Sequence, residues 1–145
     1  MKDRVKNFLN KVGGKKMRNI ILLKQAIRKA WSKETCYPPD RDKWTPENPA
    51  FGQCAVTALV VQDFFGGEIL YCRHFHHYWN RLPDGTEVDL TKEQFGENAN
   101  PCLDEIVSRE YILESERARE AETAKRYLIL KHRLNTIIKN SKGVL

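Results

Sequence analysis

Apolar residues follow a helical rhythm towards both ends of the chain and a closer, strand-like one in its middle. Ile20, Leu23, Ile27, Ala30 and Trp31 recur at i, i+3, i+7 spacing, which predicts an amphipathic helix over residues 17–31. Ahead of it, residues 1–16 are polar and basic and end in Gly13-Gly14-Lys15-Lys16, the pattern of a mobile basic leader or a short, weak helix. Residues 36–50 contain four prolines (Pro38, Pro39, Pro46, Pro49) together with Tyr37 and Trp44. A free linker has no use for two large aromatics, so this stretch is expected to be a loop packed on the body. Phe51 to Phe65 predicts a helix stopped by Gly66-Gly67, because glycine readily takes the left-handed conformation that ends helices. Glu68–Arg73, Phe75–Leu82 and Thr86–Thr91 are rich in aromatic and β-branched residues and read as three short strands. After a loop centred on Asn98-Ala99-Asn100-Pro101 the remainder reads as helix. Ala124, Tyr127, Leu128, Lys131, Leu134 and Ile138 keep helical spacing there, with acids early and bases late, as the helix dipole favours.

The link between the second and third strands has defined turn chemistry. Leu82-Pro83-Asp84-Gly85-Thr86 places proline at i+1 of a type I turn and a glycine free to be left-handed after Asp84, the pattern of a three-residue hairpin loop with a bulge. Closing Leu82 on Thr86 pairs Trp79 with Asp89 and His77 with Thr91, so all four share one face and His77 and Asp89 become diagonal neighbours. A two-residue turn would shift the register by one and bring His76, Tyr78 and Asn80 to the face of Asp89. The turn therefore selects His77 over His76.

Composition narrows the class. A chain of 145 residues is long enough to bury its own core, and 41% hydrophobic with 30% charged residues is ordinary for a soluble domain. The expected division is the leader, 1–16, and one domain, 17–145. The longest apolar stretches, Ile20–Leu23 and Ala55–Val61, fall far short of the roughly 20 residues a membrane helix needs, and no signal-peptide core follows the start. A cytoplasmic protein without a membrane span is expected. Four cysteines (Cys36, Cys54, Cys72, Cys102) without a CxxC pair support neither a disulfide scaffold nor a zinc ribbon nor a thioredoxin-like site. Charge is uneven: residues 1–33 hold 11 Lys or Arg against Asp3, a net of +10, while the whole chain is +6 and residues 34–145 therefore sum to −4. No nucleic-acid-binding module accompanies the basic end, so a solvated helix face and leader account for it better than a nucleic-acid partner.

The chemistry centres on Cys54. Gly52 and the preceding loop put it at the first turn of its helix, where unpaired N–H groups and the positive end of the dipole favour a thiolate. Those N–H groups suit an oxyanion, and the Gln53 amide is a candidate second donor. An inert buried thiol is the competing reading, since cysteine is among the most buried residue types. His77 as base and Asp89 as the group orienting it would complete a Cys-His-Asp set, against the reading of His77 as an ordinary strand histidine. A second cluster competes: on an extended strand Cys72, His74 and His76 share a face and form part of a zinc set, but a second close-spaced pair is missing, so no metal is expected. No cofactor is expected either.

The runs Gly52-Gln53-Cys54-Ala55-Val56-Thr57-Ala58-Leu59, Gly66-Gly67-Glu68-Ile69-Leu70, His77-Tyr78-Trp79-Asn80, Asp84-Gly85, Asp89-Leu90-Thr91, Gln94-Phe95 and Arg126-Tyr127-Leu128 resemble the YunG-like family of small bacterial proteins over about residues 40–135. More distantly, the order Cys, His, Asp on helix, strand, strand is similar to the transglutaminase-like branch of the papain-like enzymes. That likeness implies Cys54 as nucleophile, His77 as base and Asp89 as its orienter.

The expected fold is α+β: a papain-like or transglutaminase-like core in which the Cys54 helix packs on a small antiparallel sheet, flanked by N- and C-terminal helices. The expected function is a cysteine hydrolase or acyltransferase acting on an amide, ester or thioester of a small-molecule or peptide substrate. The alternative is a catalytically inactive binding or regulatory domain on the same core.

Overall fold

The computed structural model describes residues 16–96 and 99–141. The leader expected over residues 1–16 lies outside them apart from Lys16, as does Asn98 of the expected loop. Five α-helices are described: α1 (Lys16–Ala30), α2 (Cys54–Phe65), α3 (Arg109–Glu114), α4 (Glu116–Glu120) and α5 (Thr123–Asn140). Four strands, β1 (Glu68–Cys72), β2 (His77–Arg81), β3 (Glu87–Val88) and β4 (Glu105–Val107), form one sheet in the order β3-β2-β1-β4 with every neighbour antiparallel. The architecture is α+β.

α2 organises the core because it is apolar on nearly every side and must be covered on nearly every side. Val56, Ala58, Leu59, Val60, Val61 and Phe64 are all buried, and each such side chain contributes about 1.5–3 kcal/mol relative to exposure. The sheet covers one flank, where the Asn80 side-chain amide on β2 donates to the Ala58 carbonyl at 3.0 Å. α1 and α5 cover another: Leu23, Ile27, Leu130 and Leu134 join the α2 side chains in one cluster, and Trp31 Nε1 donates to Thr57 Oγ1 at 2.9 Å. The pattern over α1 places Leu23, Ile27, Ala30 and Trp31 inside as expected.

The second hairpin has the expected register. Leu82 N–H donates to the Thr86 carbonyl at 2.8 Å, Gly85 N–H closes the turn on the Leu82 carbonyl at 2.8 Å, and Asn80 pairs with Val88 and Arg81 with Glu87. Gly85 has φ +91° and Asp84 Oδ1 accepts from Thr86 N–H at 2.9 Å, so proline, aspartate and glycine each do what the turn requires.

Elsewhere the structure corrects the pattern. α2 begins at Cys54 rather than Phe51, because Gly52 takes φ +72° and its N–H and carbonyl are engaged outside the helix. Residues 73–76 form a turn with His76 at φ +50°, not the ends of two strands, so the alternation that would group Cys72, His74 and His76 does not apply. The segment after residue 101 is not all helix: Glu105–Val107 adds to the β1 edge, a strand too short to show periodicity. The three C-terminal helices are separated at Ser115, whose side chain caps the Ala118 N–H, and at left-handed Glu122. On α5 the buried face is Thr123, Arg126, Tyr127, Leu130, Leu134 and Ile138, leaving the expected Ala124 and Leu128 outside. No helix among the described residues is long and apolar enough to cross a membrane.

Candidate active site

Cys54 is the first residue of α2 and is partly exposed. The first helical hydrogen bond is Thr57 N–H to the Gln53 carbonyl at 3.0 Å. The N–H groups of Cys54, Ala55 and Val56 therefore have no partner within the helix. The loop before Cys54 is held by residue 52. Its carbonyl accepts from Tyr37 N–H at 2.9 Å and from an Arg126 Nη2 at 3.2 Å, and its N–H donates to Gln94 Oε1 at 3.3 Å. A Cβ at Gly52 would sit 2.4 Å from the Cys36 sulfur, so only glycine combines this φ with this packing.

His77 begins β2, on the face of the sheet that Leu70, Cys72 and Trp79 share, at the end where α2 starts. Its Nε2 lies 2.7 Å from Asp89 Oδ2. The ring is fully buried, stacked on Trp79 with centroids 5.7 Å apart and met edge-on by Phe95 at 4.6 Å. These two aromatics leave the imidazole one orientation. Asp89 is fixed in turn, as its Oδ1 accepts from the Thr91 N–H at 3.2 Å and the Thr91 hydroxyl at 3.4 Å. Thr91 Oγ1 accepts from Gln94 Nε2 at 3.0 Å, and Gln94 is the residue that holds Gly52. A continuous path of hydrogen bonds thus runs from the imidazole through the carboxylate back to the loop before the thiol.

Cys54 Sγ lies 3.8 Å from the His76 carbonyl oxygen. His77 Nδ1 is buried with no hydrogen-bond partner among the described residues, and the Cys54 thiol lies close enough to act on the ring. Burial alone would lower the imidazole pKa. The Asp89 hydrogen bond and then the Cys54 thiol outweigh that and raise it to about 9. The structure therefore brings Cys54, His77 and Asp89 together, with His77 and not His76 on the carboxylate.

Gln53 departs from expectation. It is fully buried, its Nε2 donates to the Ser32 carbonyl at 3.0 Å and its Oε1 accepts from Thr35 Oγ1 at 2.7 Å. Both ends of the amide are committed to the loop after α1, which leaves the backbone N–H groups as the donors at the helix start. His76 serves the rim: its Nδ1 lies 2.9 Å from an Arg117 Nη2 and 3.2 Å from the Tyr71 hydroxyl. Cys36 is an inert thiol by contrast, its pKa pushed up to about 11 by burial and then by Asp40.

Cys54 opens onto a cavity of about 440 Å³ between the start of α2, the 73–76 turn, Phe95 and the α4–α5 segment. A smaller cavity of about 320 Å³ is walled by Trp79, Glu87 and Asp89. Among the described residues no group of three His, Cys, Asp or Glu side chains is arranged to hold a metal. Of the parts that brace the site, the hairpin register already places Trp79 and Thr91 on the face of His77 and Asp89, whereas no spacing singles out Gln94, Phe95 or Arg126. The only sequence signal for Gln94, Phe95 and Arg126 was their place in the runs shared with the family.

Comparison with known proteins agrees with those runs. A 75-residue stretch is 41% identical to a Bacillus subtilis (strain 168) protein described as "Uncharacterized protein YunG", covering 50% of this chain and 60% of that relative. The match thus spans about three-fifths of the curated relative's length. No solved structure matches significantly. The model of the family described as "YunG protein" matches residues 19–139, nearly all of the described chain. The chain belongs to the YunG family.

Proposed function

We propose that this protein is a cytoplasmic cysteine hydrolase or acyltransferase that forms an acyl-enzyme on Cys54 from an amide, ester or thioester of a small molecule or peptide. The observation that supports this most is the buried His77 imidazole, bonded to Asp89 through Nε2 and with Nδ1 free of any hydrogen bond among the described residues, beside a Cys54 thiol that acts on the ring and opens onto a cavity. In this reading Cys54 gives its proton to His77 Nδ1 and its sulfur attacks the substrate carbonyl carbon. A C–S bond forms and the carbonyl electron pair moves to oxygen, facing the Cys54 and Ala55 N–H groups. Collapse breaks the bond to the leaving amine, alcohol or thiol, which takes the proton from His77. Water, or an acceptor nucleophile, then loses a proton to His77 and attacks the thioester, which releases the acyl product and restores the thiol. Asp89 keeps Nε2 protonated and so leaves Nδ1 to accept. The order of the three residues along the chain is that of transglutaminase-like enzymes of the papain-like group, which supports the same roles on a papain-like core.

The test is an electrophilic acyl probe applied to wild type, Cys54→Ala, His77→Ala and Asp89→Asn, with the adduct read by intact mass. The proposal requires an adduct on Cys54 that is slowed strongly by His77→Ala and less severely by Asp89→Asn. Adduct formation indifferent to His77 and Asp89 would show that the three do not act as a unit and would favour a binding or regulatory domain.

A further inference from the structure

Arg126 is 2% exposed and stands in the wall of the same cavity as Cys54. Its guanidinium donates to three backbone carbonyls, those of Thr35 at 3.1 Å, Ala121 at 3.3 Å and Gly52 at 3.2 Å. Among the described residues no carboxylate pairs with it. A guanidinium has five N–H donors, so these bonds leave part of the fork unspent. A buried cation held only by neutral carbonyls is costly to keep, since dipoles compensate a full charge poorly. Arg117 lines the same wall from α4. Its partners there are the His76 ring and, at 3.5 Å, the Tyr71 hydroxyl, and again no carboxylate among the described residues. Asp40 is the one carboxylate in that wall, and it pairs with neither arginine.

We propose that Arg126 and Arg117 form an anion subsite in the Cys54 cavity, so that the ligand taken there bears a carboxylate or a comparably small anionic group. This rests on the reading of Cys54 as the reacting group only in making that ligand a substrate; the subsite itself is a matter of charge and shape. Phe75 and Tyr78 in the same wall supply an apolar surface for the body of the ligand. A volume of about 440 Å³ limits it to a small molecule or to the end of a longer one. Arginine suits the task because its planar fork meets a carboxylate with two parallel hydrogen bonds.

The test compares iodoacetate with its neutral analogue iodoacetamide at Cys54, read peptide by peptide, with the exposed Cys102 of the same molecule as the reference for intrinsic reactivity. The expected result is an iodoacetate preference at Cys54 about tenfold above that at Cys102, the size of a charge-assisted contact. Arg117→Gln, a change at an exposed position, should reduce that preference severalfold, and Arg126→Lys should lower iodoacetate labelling more than iodoacetamide labelling. A merely structural role for Arg126 would slow both reagents alike. The same ratio at Cys54 as at Cys102, or a ratio indifferent to both arginines, overturns the subsite. If Cys54 reacts with neither reagent, the nucleophile reading falls, and the subsite is then decided by thermal unfolding with phenylacetate against phenylacetamide. A larger Tm rise with the anion, lost in Arg117→Gln, sustains it; equal shifts or none overturn it.

Discussion

His77 Nε2 and Asp89 Oδ2 stand 2.7 Å apart on neighbouring arms of one hairpin, and the three-residue turn Pro83-Asp84-Gly85 is what puts them there. One residue fewer in that turn would have offered Asp89 the other face of the strand. The imidazole is packed between Trp79 and Phe95, so its position is set by turn chemistry and its orientation by aromatic contact.

The first prediction concerns the imidazole charge. Its folded pKa, about 9, lies above the ordinary 6.5, so the protonated ring contributes stability that is fully present below about 6.5 and is lost as pH rises through about 9. NMR titration of the His77 ring should show the raised value in wild type and a lower one in Asp89→Asn and in Cys54→Ala. Unfolding free energy should fall across that window in wild type and much less in Asp89→Asn. A ring titrating at its ordinary value in wild type would mean that neither neighbour engages it in solution.

Thiol accessibility gives a second. Cys36 and Cys72 are buried, whereas Cys54 is partly exposed and Cys102 exposed. Alkylation of the folded protein should modify Cys54 and Cys102 and spare the other two until denaturant is added. Cys36 should be the slowest in the folded protein, since burial and then Asp40 push its pKa up to about 11. His77→Ala should slow labelling at Cys54 and leave Cys102 unchanged, and equal labelling of all four in the native state would contradict the packing described.

Stability away from the site depends on Asp63 of α2. Its buried carboxylate meets Lys131 Nζ at 2.6 Å, Arg109 Nη2 at 2.8 Å and the Tyr127 hydroxyl. Burial pushes the carboxyl pKa up, but the Lys131 and Tyr127 hydrogen bonds and the Arg109 charge hold it below the usual carboxylate range. Asp63→Asn leaves two cations short of their counter-ion and should cost about 3 kcal/mol in urea unfolding. The contribution is present above the ordinary carboxylate pKa and lost as pH falls through the lowered one, so the difference between variant and wild type should shrink in acid. A loss under about 1 kcal/mol at neutral pH would show the pair to be solvated.

Two glycines should separate clash from conformation. Gly67 has φ +82°, and a Cβ there would fall 2.2 Å from the Arg81 carbonyl oxygen, whereas Gly85 has φ +91° and nothing within 4 Å of an added Cβ. Gly85→Ala should cost about 1 kcal/mol, the conformational penalty alone. Gly67→Ala should cost more than about 2 kcal/mol, because backbone in the next strand must move. Equal losses in denaturant melts would mean that the α2–β1 corner yields freely.

What the sequence by itself determined about this protein was local in origin. The stop of α2 at Gly66-Gly67, the apolar face of α1, the hairpin register and therefore the choice of His77 over His76 follow from turn chemistry and periodicity acting over a few residues. Cys54 at a helix start was legible for the same reason. Tertiary structure alone decided the rest. The Gln53 amide turned into the core because Ser32 and Thr35 offered it partners 21 and 18 residues away. β4 formed because the β1 edge had backbone groups to satisfy, not because Glu105-Ile106-Val107 has any pattern of its own. Phe95 reached His77, and Arg126 reached Gly52 across 74 residues, through packing that no spacing in the chain records. Local dihedral preferences are written in adjacent residues, whereas the partner of a buried polar group is settled only when the whole core closes around it.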